Sequence, residues 1–424
     1  MNRRNFLRRS SVAASALAFH GAIRTVRAAD SPNSTVRVAV MGLGRGLDHV
    51  TAVGGLQNAE VALLCDVDDK RIAAGLKQTE GKQARAPLTS RDFRRVLEMK
   101  DIDAVFIAAP NHWHAPAAIM ACNAGKHVYV EKPCSHNPWE GEMLVRAARK
   151  NNRLVQMGNQ RRSWGGVVEG IQKLHEDAIG QVRFARCWYD NARGSIGRGK
   201  LLPVPANLDY NLWQGPAPER PYLDNLVHYN WHWRWHWGNG ELGNNGIHAL
   251  DVARWGLKVT HPTRVACNGA RYHFDDDQES PDTAVAQYDF GKVGVTWEGS
   301  SCHPRAQEKH DFVTFYGEGG SLAISTGSAY RIFDIKGKLM SEGKGEGGDR
   351  GHMDNFLEAI RGNGKLNSEI EEGHLSTQLC HLGNIAWRTG RNLLIDPKTG
   401  TILNDPEGQK LWKREYRKGW EPTV

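Results

Sequence analysis

A chain of 424 residues, 40% hydrophobic and 24% charged, is too long for one ordinary core and too apolar for a disordered chain, so two folded domains are expected. The formal net charge of +8 invites a nucleic-acid partner, but Arg3, Arg4, Arg8, Arg9, Arg24 and Arg27 all fall in the first 28 residues, which hold no acid. The remainder carries 49 bases against 47 acids, which leaves no general phosphate-neutralising field and argues against nucleic acid.

In chain order, Arg3-Arg4-Asn5-Phe6-Leu7-Arg8 is a twin-arginine pattern. The apolar run Val12–Ile23, broken by His20 and Gly21, is too short to span a bilayer. Val26 and Ala28 suit the −3 and −1 positions of a cleavage site, so residues 1–29 are predicted to be a twin-arginine signal peptide. The expected destination is the periplasm or another exported location, with a cofactor loaded before export and held tightly. No later stretch is long and apolar enough for stable membrane insertion. Seven cysteines without a CxxC pair suggest neither a zinc cluster nor a disulfide framework, and most read as small buried hydrophobes.

The β-branched run Thr35–Val40 enters a glycine turn, and Glu60–Cys65, Ala104–Ala108, His127–Val130 and Leu154–Met157 read as further buried strands separated by helical stretches. That alternation predicts an α/β fold with a doubly wound parallel sheet. From about residue 180 the texture changes. Gln181–Asp190, Ala284–Phe290, Val293–Glu298 and Phe312–Tyr316 alternate apolar and polar residues, as antiparallel strands with one covered face do. Asp349–Arg361 and Glu371–Arg388 read as helices, and Gly337–Gly348 as a glycine- and charge-rich loop.

Gly42-Leu43-Gly44-Arg45-Gly46 follows the first strand, where glycines let backbone N–H groups approach a pyrophosphate at a helix N-terminus. The strict fingerprint wants its third glycine at position 47, which holds Leu47, so the turn alone is a weak signal. Asp66 strengthens it. It ends the second strand, 20 residues after Gly46, where a carboxylate accepts hydrogen bonds from ribose hydroxyls and repels a 2′-phosphate. NAD is therefore expected over NADP, a preference that Arg45 or Lys70 can soften. Ala109-Pro110-Asn111 falls at the end of the third clear strand, on the ligand-binding side of such a sheet.

The blocks Ala109-Pro110-Asn111-His112-Trp113-His114 and Gly125–Pro133, which ends in Glu131-Lys132-Pro133, resemble the Gfo/Idh/MocA oxidoreductase family. The resemblance runs from about Val36 to the C-terminus. It implies an N-terminal Rossmann domain over 35–158 and a C-terminal α+β substrate and oligomerisation domain over 159–424, with a large, mostly antiparallel sheet. It further implies that Lys132 lies between nicotinamide and substrate, that Glu131 and Asn111 line the cofactor ribose, that His114 caps that region, and that Gln160 lies beside the pocket. By its residues alone, a Lys-Pro after a strand is equally compatible with a turn and a solvated lysine. In the second half, Gly238–His248 matches a family block ending in Asp-x-Gly-x-His, whose histidine is a general base; here the histidine is His248, but Asn244 stands in place of the aspartate. Helical spacing puts His248 and Asp251 on one face, so Asp251 is a candidate to orient His248 instead. The family's open sheet face implies a homo-oligomer.

Trp231, Trp233, Trp235 and Trp237 alternate, which predicts an extended segment with four indoles on one face, packing either on a sugar ring or between domains. His228, His232 and His236 tempt a metal assignment. On a strand, though, residues four apart lie ~13 Å from each other at ~3.3 Å per residue, too far for one ion with ~2.1 Å bonds, so no metal is expected. His374 and His381 read as structural. The resemblance implies an NAD(P)-dependent oxidoreductase acting on a small-molecule sugar or polyol. An NAD-dependent glycosidase with recycled cofactor is the nearest alternative, and Asn244 keeps open a carbohydrate-binding protein with weak redox activity.

Overall fold

The computed structural model describes residues 35–305 and 307–424; the twin-arginine segment expected over 1–29 lies outside them. Six parallel strands form the first sheet: β1 (Val36–Met41), β2 (Ala59–Cys65), β3 (Leu88–Ser90), β4 (Ala104–Ile107), β5 (His127–Val130) and β6 (Val155–Met157), in the order β3-β2-β1-β4-β5-β6. The central strands are near-continuous apolar runs because helices cover both faces of the sheet. Side-chain caps fix where those helices begin: Asp68, Asp92 and Asn137 each accept a backbone N–H of the first turn. Strand order reverses between β1 and β4, so their C-terminal ends open a crevice. The edge strand β3 gave no sequence signal because it is three residues long with Leu88 57% exposed.

The second sheet has ten strands, β7 (Val182–Asp190), β8 (Arg264–Ala270), β9 (Thr283–Asp289), β10 (Gly294–Ser300), β11 (Val313–Gly317), β12 (Gly320–Ile324), β13 (Ala329–Asp334), β14 (Leu339–Lys344), β15 (Leu393–Ile395) and β16 (Ile402–Leu403). All its pairings are antiparallel except that of β7 with β10. In β9, buried Ala284, Ala286 and Tyr288 alternate with exposed Val285, Gln287 and Asp289, which is the expected one-face covering. The loop expected over 337–348 is corrected: it contains β14, an edge strand bonded on one side only to β13. Every residue of it but Gly343 is exposed, so it carries no apolar alternation to read.

Two segments of the second half return to the first sheet. Helix Arg350–Ile360 packs Met353, Phe356 and Leu357 into the cluster around Val38, Phe106 and Tyr129. Residues 207–209 lie along the end of β2, where Asn207 O accepts from Asp69 N at 3.0 Å and Asp209 N donates to Val67 O at 2.8 Å.

Helix Ile247–Leu257 is pinned from beneath by a buried ion pair. The Arg162 guanidinium bonds both Asp251 oxygens at 2.8–3.0 Å, and the Ser376 hydroxyl donates to Asp251 Oδ1 at 2.7 Å. Asp251→Asn leaves a buried guanidinium short of its counter-charge. It is expected to lower unfolding free energy by about 3 kcal/mol, measured by denaturant unfolding, with nucleotide content of the folded fraction unchanged.

Candidate functional site

The turn after β1 is shaped by three glycines with three different tasks. Gly42 has φ +85°, and a Cβ there would lie 2.6 Å from Ala109 N and 2.7 Å from the Ala108 carbonyl, so only glycine lets the β1 and β4 ends approach. A Cβ on Gly44 meets nothing within 4 Å, because this residue faces an open cavity. A Cβ on Gly46 would come within 3.0 Å of Val40 Cγ1. Gly46 therefore supplies the close helix–strand packing that the strict fingerprint assigns to position 47, and Leu47 packs on the core instead. Asp66 is built into the turn: its carboxylate accepts from Leu43 N at 2.6 Å and Asp68 N at 2.9 Å. Burial pushes its pKa up, and those two N–H groups oppose the rise. It still faces the cavity with lone pairs to spare.

That cavity, of about 610 Å³, runs from Asp66 and Arg71 past the glycine turn to the β4 and β5 ends. Ala109, Pro110 and Asn111 line it from β4, and Glu131 and Lys132 from β5. His114 ties the two turns together, its ring nitrogens 2.6 Å from Pro133 O and 2.7 Å from Ala109 O. Glu131 receives His49 Nε2 at 2.9 Å and Arg45 Nε at 3.4 Å, and these partners hold its carboxyl far below the usual range despite burial. Arg45 also pairs with Asp349 and Asp48.

Lys132 Nζ donates to the backbone oxygen of Asn244 at 2.8 Å and to its Oδ1 at 3.2 Å. Burial lowers the pKa of this ammonium, against the pull of Glu131. His248 and Gln160 enter the same cavity from the second half of the chain, and His248 Nδ1 and Gln160 Oε1 are buried without a partner. Burial, then Lys132 and Arg161, drives the His248 pKa well below 6.5, so the ring is neutral. Arg161 lies between the Trp164 and Phe312 rings with no carboxylate partner among the described residues, and burial brings its own pKa down to about 10. Asp251 does not orient His248, contrary to the sequence expectation: Arg162 and Ser376 occupy its oxygens, and it lies outside the cavity.

These shifts fix the pH profile of any reaction using a neutral His248 and a charged Lys132. The acid limb of kcat/KM is expected below 6.5 and the alkaline limb below 10.5. Asn244→Asp places a negative charge beside the ammonium and raises both pKa values, so both limbs move upward. A pH–rate series on the two proteins checks the direction.

The cavity is roofed by residues 208–237, which the sequence did not mark as a cover. His228 Nε2 meets Asp68 Oδ2 at 2.8 Å on one side. On the other, Trp213 O accepts from Trp113 Nε1 at 3.0 Å and lies 2.9 Å from His112 Nε2. Leu212, Trp213, Tyr229, Trp231 and His232 face inward. The tryptophan run is not extended: Asn230–Trp233 is a 3₁₀ turn, which sends the indoles in different directions. Trp231 lines the cavity, Trp233 lies under Arg193, Trp235 stands against Trp387, and Trp237 packs on Trp213. Among the described residues no group of three His, Cys, Asp or Glu is placed to hold a metal ion.

Residues 36–159 match the Gfo/Idh/MocA description "Oxidoreductase family, NAD-binding Rossmann fold", and residues 173–422 match its "C-terminal alpha/beta domain". The chain belongs to the Gfo/Idh/MocA oxidoreductase family. Inositol 2-dehydrogenase of Salmonella typhimurium is 31% identical over 150 residues, 35% of this chain and 44% of that protein. Glycosyl hydrolase family 109 protein 1 of a Shewanella species is 35% identical over 127 residues, 29% of this chain and 28% of that one. The matched stretches thus span less than half the length of these curated relatives. The solved aldose–aldose oxidoreductase of Caulobacter crescentus, complexed with glycerol, shares the fold with a TM-score of 0.66 at 19% identity, covering 85% of this chain and all of that one. The cavity of this Gfo/Idh/MocA chain lies where its NAD-binding Rossmann domain meets the C-terminal domain.

Proposed function

We propose that this protein is an NAD-dependent oxidoreductase that moves a hydride between a hydroxyl-bearing carbon of a sugar or polyol and nicotinamide. The observation that carries the reading is the joining of the Gly44 turn, Lys132 and His248 in one cavity. The residues suit a dinucleotide: Gly44 leaves a cradle that any side chain would fill, Asp66 waits at the ribose end, and Gln160 Oε1 is orphaned. NAD is favoured over NADP because the Asp66 carboxylate repels a 2′-phosphate and Arg45 is engaged by Glu131 and Asp349. Arg71, at the same end, is the residue through which NADP would be tolerated.

When bound, the nicotinamide supplies the hydride acceptor or donor. Lys132, held by both oxygens of Asn244, donates to the reacting oxygen and stabilises its developing charge. His248, neutral, takes the hydroxyl proton or returns it. The 208–237 roof excludes bulk water and supports tight retention of the nucleotide. Denaturing the purified protein is expected to release NAD, and a panel of sugars and polyols to change nicotinamide absorbance; a protein that yields no nucleotide and turns over none of them overturns the reading.

The roof and the family 109 relative favour one second reading, a glycosidase in which oxidation is transient and the cofactor is recycled. Glycoside cleavage without net nicotinamide reduction separates it from the first. We further propose export by the twin-arginine route through residues 1–29, and a homo-oligomer built on the uncovered face of the ten-stranded sheet, which displays Val285 and Tyr316.

A further inference from the structure

A second cavity, of about 380 Å³, shares no lining residue with the first. It is bounded by His136–Pro138, just after the Lys132-Pro133 turn, by the tip around Arg220, by Trp235–Asn239, and by the last turns of helix Ile370–Thr389. Four of its side chains leave polar atoms without a hydrogen-bond partner among the described residues. Asn137 Oδ1 caps its helix through Glu140 N at 3.1 Å, but its Nδ2 has no partner. Asn239 Nδ2 donates to His136 O at 2.9 Å, but its Oδ1 has none. Arg414 bonds Glu140 through Nε at 2.8 Å and His112 O through Nη2 at 2.7 Å, while Nη1 is unpaired. Both ring nitrogens of His136 are buried and unpartnered. Asn137 and Asn239 are each only 5% exposed. Buried polar atoms are rarely left unsatisfied, and here five belong to four residues grouped around one space.

The charge at the mouth is positive. Among the described residues neither Arg220 nor Arg388 has a carboxylate in salt-bridge contact, although Glu279 attracts Arg388 from farther off, and they lie 5.7 Å from the Trp237 and 5.2 Å from the Trp235 ring centroids. Of the two acids there, Glu219 is taken by Arg417, which leaves Glu415; Lys413 is taken by Glu421. Guanidinium groups at the rim select an anion, while amide and imidazole groups beneath, beside an indole face, suit a body bearing several hydroxyls. We propose that this cavity is a second binding site, for a small polyhydroxy anion such as a sugar acid or sugar phosphate. The inference does not depend on the redox reading, since no residue is shared.

Calorimetric titration of the protein as purified, with D-gluconate, D-glucose 6-phosphate and D-glucose as probes, tests it. One saturable site is expected for gluconate or glucose 6-phosphate, and the tighter of the two identifies the anion. D-Glucose is expected to bind at least tenfold more weakly. Arg220→Gln/Arg388→Gln, which changes only rim residues, is expected to weaken the anion at least tenfold, and Lys132→Ala to leave it unchanged. Absence of binding by either anion overturns the proposal, as does equal binding of glucose. Loss of binding in the Lys132 variant with retention in the rim variant overturns it too, because the ligand then sits in the nucleotide cavity.

Discussion

Lys132→Ala is expected to lower turnover about 100- to 1000-fold while the nucleotide remains bound, the usual effect of deleting a donor aimed at developing negative charge. The ammonium is held in place rather than solvated: it reaches across the domain boundary to both oxygens of Asn244 and lines the cavity with His248. Burial lowers its pKa, so it is a stronger proton donor than a free lysine, yet Glu131 keeps it from being lost altogether. In the proposed site the main pyrophosphate and adenosine contacts would fall on the glycine turn and Asp66 rather than on Lys132, so retention and turnover should separate. Single-turnover rates and nucleotide content of the same preparation check this; unchanged turnover would remove Lys132 from the chemistry.

Gly44→Val acts in the opposite sense. A Cβ here has no protein atom within 4 Å and opens onto the cavity, so the fold is expected to tolerate the isopropyl group, which fills the cradle at the N-terminus of helix Gly46–Gly54. Two hydrogen bonds to charged phosphate oxygens at about 1.5–3 kcal/mol each would be forfeited, which weakens nucleotide binding by about 100-fold or more. The apo protein should unfold at an unchanged temperature. Gly42→Ala provides the contrast: its Cβ collides with the Ala108–Ala109 backbone at positive φ, so that variant is expected to lose stability as well as nucleotide.

The parallel sheet was legible because β1, β4 and β5 are apolar on both faces, and that continuous signal needs no tertiary context. Lys132 and His248 sit on recognisable sequence blocks, and both line the cavity. What escaped were contacts between residues far apart in sequence. The 208–237 roof carries no periodicity, since irregular backbone held by His228–Asp68 and Trp213 carbonyl contacts leaves no pattern in one dimension. Asp251 misled for a related reason: helical spacing put it near His248, but Arg162, 89 residues away, captures it. Gly46 shows that a fingerprint written as fixed spacing can shift by one residue while the packing contact it encodes persists.

The most direct measurement is a crystal structure of the protein with its nucleotide. The pyrophosphate should lie against Gly44, with the nicotinamide between Lys132 and His248 beneath the 208–237 roof. A nicotinamide lodged away from Lys132, or a glycine turn closed to phosphate, would contradict the account.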